Sequence, residues 1–214
     1  MIIEESQSAR ARAASLIAAG GVVAFRTDTF YGLGADPFNV EALRRLKKLK
    51  GRDDGKPILA LIGDRAEASR FMAGRSELFD LLSAKHWPGP LTIVVRARRE
   101  VPAELTAGTE TVGIRLPDDE RARAFVQMCG GALTATSANL SGEPPATDAQ
   151  QVARSFPGGL GLILDGGEAR GGQPSTVLDL SGPEPRLVRA GALSRQALEE
   201  TLVALGLRPG TLDG

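Results

Sequence analysis

The sequence predicts an α/β domain built on a mixed β-sheet. Short apolar runs rich in β-branched residues, such as GVVAF, ILALI and LTIVVR, are bounded by glycine, proline and polar residues in the manner of buried strands. Between several of them lie segments with leucines at helical spacing, each preceded by a Ser, Asn or Asp placed to cap. The two kinds of segment alternate irregularly, which argues for a mixed sheet rather than a regular doubly wound one. At 214 residues the chain can bury a substantial core. We expect residues 1–206 to form one domain and 207–214 to be a loose C-terminal tail.

Taken in order, Ser6 or Ser8 can cap an Ala-rich helix that stops at Gly20-Gly21, and GVVAF then reads as a buried strand. Asn39 can cap a second helix with Leu43, Leu46 and Leu49 on one face and Arg44, Arg45 and Lys48 on the other. ILALI (58–62) is the next strand, Asp64 to Glu67 resembles a capping box, and Ser76 can cap a helix that turns Leu78, Phe79, Leu81 and Leu82 inward. WPGP breaks the chain before two strands, LTIVVR (91–96) and TVGIRL (111–116). Asp118 and Asp119 open a helix ending at Gly130-Gly131. ALTAT, LGLILD, STVLDL and RLVRA are further short strands, and Ser194 caps a last helix ending at Gly206.

Composition removes several kinds of chemistry. Lys plus Arg equals Asp plus Glu, 26 each, so net charge gives no reason for indiscriminate nucleic-acid binding. One cysteine, Cys129, excludes an internal disulfide and fits a reducing compartment. One histidine and one cysteine cannot make a zinc site of the usual ligand type, and we expect no metal ligands from protein side chains. A Ser-His-Asp arrangement could run only through His86, in the turn KHWPGP, where a packed or solvated histidine is the simpler reading. The N-terminus lacks a signal-peptide core, and the longest apolar run is about ten residues against the ~20 that span a bilayer. These features lead to an expectation of a cytoplasmic protein.

Four stretches carry polar groups where a sheet protein favours apolar ones. RTDTFYGLG (26–34) follows a strand, where open α/β sheets place ligands, although a plain strand exit reads the same way. LKGRDDGKP (49–57) sets Lys50 and Arg52 around a helix-ending glycine, either to complement the helix C-terminus or to receive an oxyanion. It is not a Walker A loop. TATSANLSG (134–142) presents Ser137, Asn139 and Ser141 at a strand exit, as small-ligand hydrogen-bonding groups or as a polar turn. In the fourth, Arg115 of TVGIRLP and Arg189 of LVRAG interrupt apolar strands flanking STVLDL; each must be paired or face a cleft.

Jointly these stretches resemble the YrdC-like family, the threonylcarbamoyl-adenylate synthases, in its single-domain form. RTDTFYGLG, KGR, PILAL, GIRLP, SANLSG, STVLDL and VRAG follow the family signature in order, over roughly residues 10–200. Arg26, Asp28, Lys56 and Pro145 depart from the usual proline, glutamate, asparagine and serine, and Leu61 stands where longer members have histidine. The resemblance implies a twisted mixed sheet flanked by helices, with a concave, positively charged cleft. It implies catalytic roles for Lys50, Arg52, Ser137 and Asn139, and ATP contacts from Arg52, Lys56, Thr111, Ala135 and Arg189. Thr29, Arg115, Ser137 and Ser175 would surround L-threonine. The implied reaction joins L-threonine, bicarbonate and ATP, with Mg²⁺ accompanying the ATP, into threonylcarbamoyl-AMP and pyrophosphate. A tRNA threonylcarbamoyl transferase would be the downstream partner, and weak RNA binding is expected. The alternative within the resemblance is a double-stranded RNA or tRNA-binding factor without synthase activity, and a carbamoyl-transfer relative or an inactive paralogue stand further off.

Overall fold

The computed structural model describes residues 1–51, 55–207 and 212. The tail expected at 207–214 lies largely outside the described residues.

The expected mixed α/β architecture is present, with its strands divided between two mixed sheets. Chain order runs β1 (Ile2–Glu4), α1 (Gln7–Ala18), β2 (Val23–Arg26), β3 (Tyr31–Gly34), α2 (Val40–Lys50) and β4 (Ala60–Ile62). A 3₁₀ turn (Arg65–Arg70) leads to α3 (Glu77–His86), β5 (Leu91–Arg96), α4 (Ala103–Thr106), β6 (Thr111–Arg115) and α5 (Glu120–Met128). The remainder is β7 (Ala132–Thr134), β8 (Thr136–Ser137), α6 (Ala149–Ser155), β9 (Leu162–Asp165), β10 (Thr176–Asp179), β11 (Arg186–Arg189) and α7 (Arg195–Ala204).

Side-chain caps explain where the helices begin. Ser6, Asn39, Ser76, Asp119 and Ser194 each accept a hydrogen bond from the backbone N–H three residues on, satisfying a donor the first turn leaves open. Asp64 also caps, accepting from Ala66 N, but the segment it opens winds as a 3₁₀ turn rather than an α-helix. Leu81, expected inward, is 38% exposed, while Phe79 and Leu82 carry the buried face of α3.

The first sheet has the order β1-β9-β2-β3-β8 and the second β11-β10-β5-β6-β4-β7. Parallel pairs (β1 with β9, β9 with β2, β10 with β5, β4 with β6) and antiparallel pairs occur in both. The run read as one strand, ALTAT, is shared between them. Its first three residues pair with β4, the chain crosses at Ala135, and Thr136–Ser137 pair with β3. Thr134 binds the crossing together, with its N–H donating to Ala35 O at 2.9 Å and its Oγ1 accepting from Ala35 N at 2.8 Å.

The central strands β2 and β9 of the first sheet are apolar on both faces. Val23, Phe25, Leu162 and Leu164 meet Ala13 and Ile17 of α1 and Phe125 of α5, where the Phe25 and Phe125 rings pack edge to face at 5.3 Å. Val22, Ala24, Leu33 and Ile163 point into the main core with Leu43 and Leu46 of α2 and Val152 of α6. YGLG forms β3 rather than a loop exit. Gly34 is required there because a Cβ would lie 2.8 Å from the Phe25 ring.

Candidate functional site

The second sheet buries one face and opens the other. Leu91, Ile93 and Val95 of β5, Val112 and Ile114 of β6, and Leu178 of β10 belong to the core. Their alternate neighbours, Thr92 and Val94, Thr111, Gly113 and Arg115, and Val177 and Asp179, line a cleft of about 900 Å³. This is the period-2 alternation of a strand with one packed face. The walls come from the Thr27–Gly32 turn, the Ala135–Asn139 crossing, Gly172–Ser175 and β11, so the cleft lies where the two sheets meet.

At one end, Lys50 is the last residue of α2, and Gly51 closes the helix in the left-handed conformation (φ 56°), which costs glycine little. Lys50 is 5% exposed and its Nζ donates to the backbone carbonyl of Ser137. Ser137 Oγ and Asn139 Oδ1 both stand 3.5 Å from the same Nζ. Asn139 is held by its own amide, which donates to Leu140 O at 2.9 Å and Glu143 O at 2.6 Å. The helix end and the SANLSG turn are therefore one unit.

At the other end, Arg115 lies on the cleft face of β6 and is 3% exposed. Burial pulls its pKa down, opposed chiefly by the neighbouring Asp28 carboxylate. Its Nη2 donates to Asp28 Oδ2 and its Nε to Gly89 O at 3.0 Å. Arg189 folds over Ser175, donating from Nη2 to the carbonyl at 2.8 Å and to Oγ at 3.2 Å, and burial lowers its pKa too. Ser175 Oγ and Thr92 Oγ1 are 2.8 Å apart. Thr29 stands opposite on the turn after β2, its Oγ1 3.3 Å from Thr27 Oγ1.

Of the residues singled out in the sequence, Thr29, Thr111, Arg115 and Ala135 line the cleft, as do Ser137, Asn139, Ser175 and Arg189. Lys50 does not line it directly but sits behind Ser137 and Asn139. Lys56 is exposed and is not among the lining residues, although Pro57 beside it is. Arg52 lies outside the described residues. Leu61 and Pro145, two of the departures from the family signature, both line the cleft. Sequence reasoning missed the floor: Thr92, Val94, Gly113, Val177 and Asp179. Alternation would have found part of it, since a cleft-facing Arg115 puts Gly113 and Thr111 on the same face.

Among the described residues no group of three or more His, Cys, Asp or Glu could hold a metal ion. His86 lies away from the cleft, its Nε2 3.1 Å from Thr201 Oγ1 of α7. No helix of the described residues is long and apolar enough to cross a membrane.

A two-sheet α/β domain with a polar cleft at the sheet junction, bordered by Lys50, Ser137 and Asn139, has close counterparts among known proteins. Residues 15–191 match the model of the Sua5/YciO/YrdC family, described as "telomere recombination", and the chain belongs to that family. The threonylcarbamoyl-AMP synthase of Pyrococcus abyssi is 36% identical over 197 residues, covering 92% of this chain and 58% of the relative. That of Thiobacillus denitrificans is 45% identical over 163 residues, covering 76% of this chain and 86% of the relative. The crystal structure of P. abyssi Sua5 complexed with L-threonine superimposes with a TM-score of 0.90 at 35% identity, over 94% of this chain and 60% of that one. The chain thus spans about three fifths of the length of the P. abyssi protein.

Proposed function

We propose that this domain is an L-threonylcarbamoyladenylate synthase. The threonine amine and bicarbonate give a carbamate and water; a carbamate oxygen then attacks the α-phosphorus of ATP, and pyrophosphate leaves. The observation that carries the proposal is the meeting, in one cavity, of Ser137 and Asn139, backed by Lys50, with the group formed by Arg115, Ser175 and Thr29. The similarity to proteins named threonylcarbamoyl-AMP synthase, and to one crystallised with L-threonine, supports the same reading.

The difficulty in such a reaction is electrostatic. A carbamate and a phosphate are both anionic, and two like charges 4 Å apart repel by about 4 kcal/mol at an effective dielectric of 20. Cations fixed in place before the reaction offset that repulsion without reorganising. Lys50 is fixed in this sense, held by the Ser137 carbonyl, and Arg189 is a second cation along the floor. Arg115 would receive the amino-acid carboxylate, with Thr29 and Ser175 offering hydroxyls to the rest of the molecule. Thr111 and Ala135 would lie along the nucleotide, as would Arg52. Mg²⁺ would enter bound to ATP and spread the phosphate charge. None of these steps needs a histidine base.

The labile adenylate would pass to a tRNA threonylcarbamoyl transferase in the cytoplasm. Any direct RNA contact would be weak and salt-sensitive, because the chain carries no net charge. The test is incubation with ATP, L-threonine and labelled bicarbonate. Pyrophosphate release that depends on both threonine and bicarbonate is the expected result; release unchanged when either is omitted would overturn the reading. RNA binding that withstands ~200 mM salt and is indifferent to ATP would favour an RNA-binding factor instead.

A further inference from the structure

Arg115 and Asp28 form an ion pair deep beside the cleft, with side chains 4% and 6% exposed. A pair at that depth gains most when it is bidentate, two parallel N–H···O bonds satisfying both arms of the fork and both oxygens. This pair is not. Asp28 Oδ2 takes Nη2 and also accepts from Asp118 N at 3.3 Å, while Asp28 Oδ1 is buried with no partner. Arg115 Nη1 likewise has no hydrogen-bond partner among the described residues, and Arg115 lines the cleft whereas Asp28 does not. The carboxylate therefore stands behind the guanidinium, gripping one arm and leaving the other.

The third nitrogen is held as firmly. Nε donates to Gly89 O in the WPGP turn, and Gly89 N donates back to Leu116 O just beyond β6. Position 89 leaves no room for a side chain, because a Cβ would collide with the carbonyl oxygen of His86. Arg26 pairs with Asp119 at 2.9 Å, fastening the turn that carries Asp28 to the segment after Leu116. Two of the three guanidinium nitrogens are thus pinned from different directions, and Nη1 is the one with both of its N–H groups left for a ligand.

We propose that Asp28 is a positioning residue for the amino-acid substrate: with the Gly89 carbonyl it fixes the Arg115 guanidinium so that Nη1 is presented to the substrate carboxylate. This rests on the proposed role of Arg115 as the carboxylate receptor. It explains why a buried ion pair leaves a carboxylate oxygen unsatisfied, since a bidentate grip would occupy the nitrogen the substrate needs. It also gives the WPGP turn a task.

The test is titration of the folded, full chain with L-threonine, alongside steady-state KM values for L-threonine and ATP. Asp28→Ala should weaken L-threonine binding roughly 10–100-fold, the range expected for loss of a hydrogen bond to a charged group, and leave the KM for ATP within about twofold. Asp28→Asn, which keeps an oxygen for Nη2, should recover most of the threonine affinity. A purely structural pair predicts otherwise: Asn would fail as badly as Ala, and threonine and ATP would suffer together. Should Asp28→Ala not fold, Asp28→Ser, which shortens the acceptor away from Nη2 while filling more of the space, carries the same expectation. Threonine affinity within about twofold of the unsubstituted chain in either folded variant would overturn the positioning role alone. Failure of the unsubstituted chain to bind L-threonine would instead overturn the functional reading, and this proposal with it.

Discussion

The two sheets of this domain use the same strand chemistry for different ends. In β2 and β9 of the first, Phe25 and Leu164 point to α1 and α5 while Ala24 and Ile163 point to the main core, so both faces are apolar and these strands read as nearly unbroken hydrophobic runs. In the second, Val112 and Ile114 are buried while Thr111, Gly113 and Arg115 look into the cleft, and the strand alternates. Strands packed on both sides gain stability from each residue and leave no surface for chemistry; the first sheet reaches the cleft at its other edge, through Tyr31 and Gly32 of β3 and Ser137 of β8. A sheet packed on one side gives up that burial and acquires a floor on which polar groups can be set at fixed spacing. Fold stability should therefore depend most on the centre of the first sheet, and ligand handling on the second sheet and the β3–β8 edge that meets it.

Substitutions can separate these roles. The largest expected effect is at Phe125→Ala, which removes the ring packed on Phe25 and should cost about 3–5 kcal/mol of stability by denaturant unfolding, with ligand affinity unchanged in whatever protein remains folded. Lys50→Met should act mainly on turnover. A moderate stability loss of about 1–3 kcal/mol, from acceptors on Ser137 and Asn139 left without their donor, with turnover reduced roughly 10²–10³-fold by pyrophosphate release, is the outcome expected when one prepositioned charge is removed. Turnover close to wild type would reduce Lys50 to a helix-end cation.

Gly113→Ala sharpens the contrast within one strand. Glycine inside a strand costs about 0.5–1 kcal/mol relative to alanine, so the substitution should not lower the melting temperature if Thr92 Cγ2, 3.2 Å from the new methyl, can shift. The methyl would nonetheless rise from the cleft floor, and ATP or threonine affinity should fall. Gly34→Ala in the first sheet should destabilise by about 1–3 kcal/mol, because its methyl meets the buried Phe25 ring. If both variants lose stability and neither loses affinity selectively, the two sheets do not divide labour as described.

The smallest expected effect lies outside both sheets. Burial pulls the pKa of His86 below its usual value, with Lys85 adding to the shift. The unfolded chain then binds more protons than the folded one between the folded value and ~6.5, so stability falls as pH drops through that window. His86→Gln should flatten this part of the stability profile and leave turnover at pH 8 unchanged.

Much of the candidate site was legible from residues alone, for reasons that differ by position. Arg115 and Arg189 stood out because a charge inside an apolar strand requires a partner or an opening, and Arg115 has both: Asp28 behind it and the cleft in front. Lys50, Ser137 and Asn139 could be noticed as polar groups at a helix end and a strand exit. Nothing in their spacing, with 87 positions separating Lys50 from Ser137, shows that they bond to each other. Lys56 looked equivalent to its neighbours in LKGRDDGKP, yet it is exposed and lines no part of the cleft. The strand β3 was hidden by its two glycines, and the 3₁₀ turn by a cap that serves either kind of helix.

Local rules thus determined most of the longer helices and strands and the mixed α/β class, because capping, periodicity and glycine placement act over three or four residues. The division into two sheets was decided only in three dimensions, at Ala135. There the chain leaves β4 for β3, and no local preference distinguishes such a crossing from a continuous strand. The cleft follows from that crossing, since it lies where the sheets meet. Which arm of Arg115 is free was settled the same way: its hydrogen bonds to Asp28, 87 positions away, and Gly89, 26 positions away, are long-range contacts that exist only once the core has closed around them.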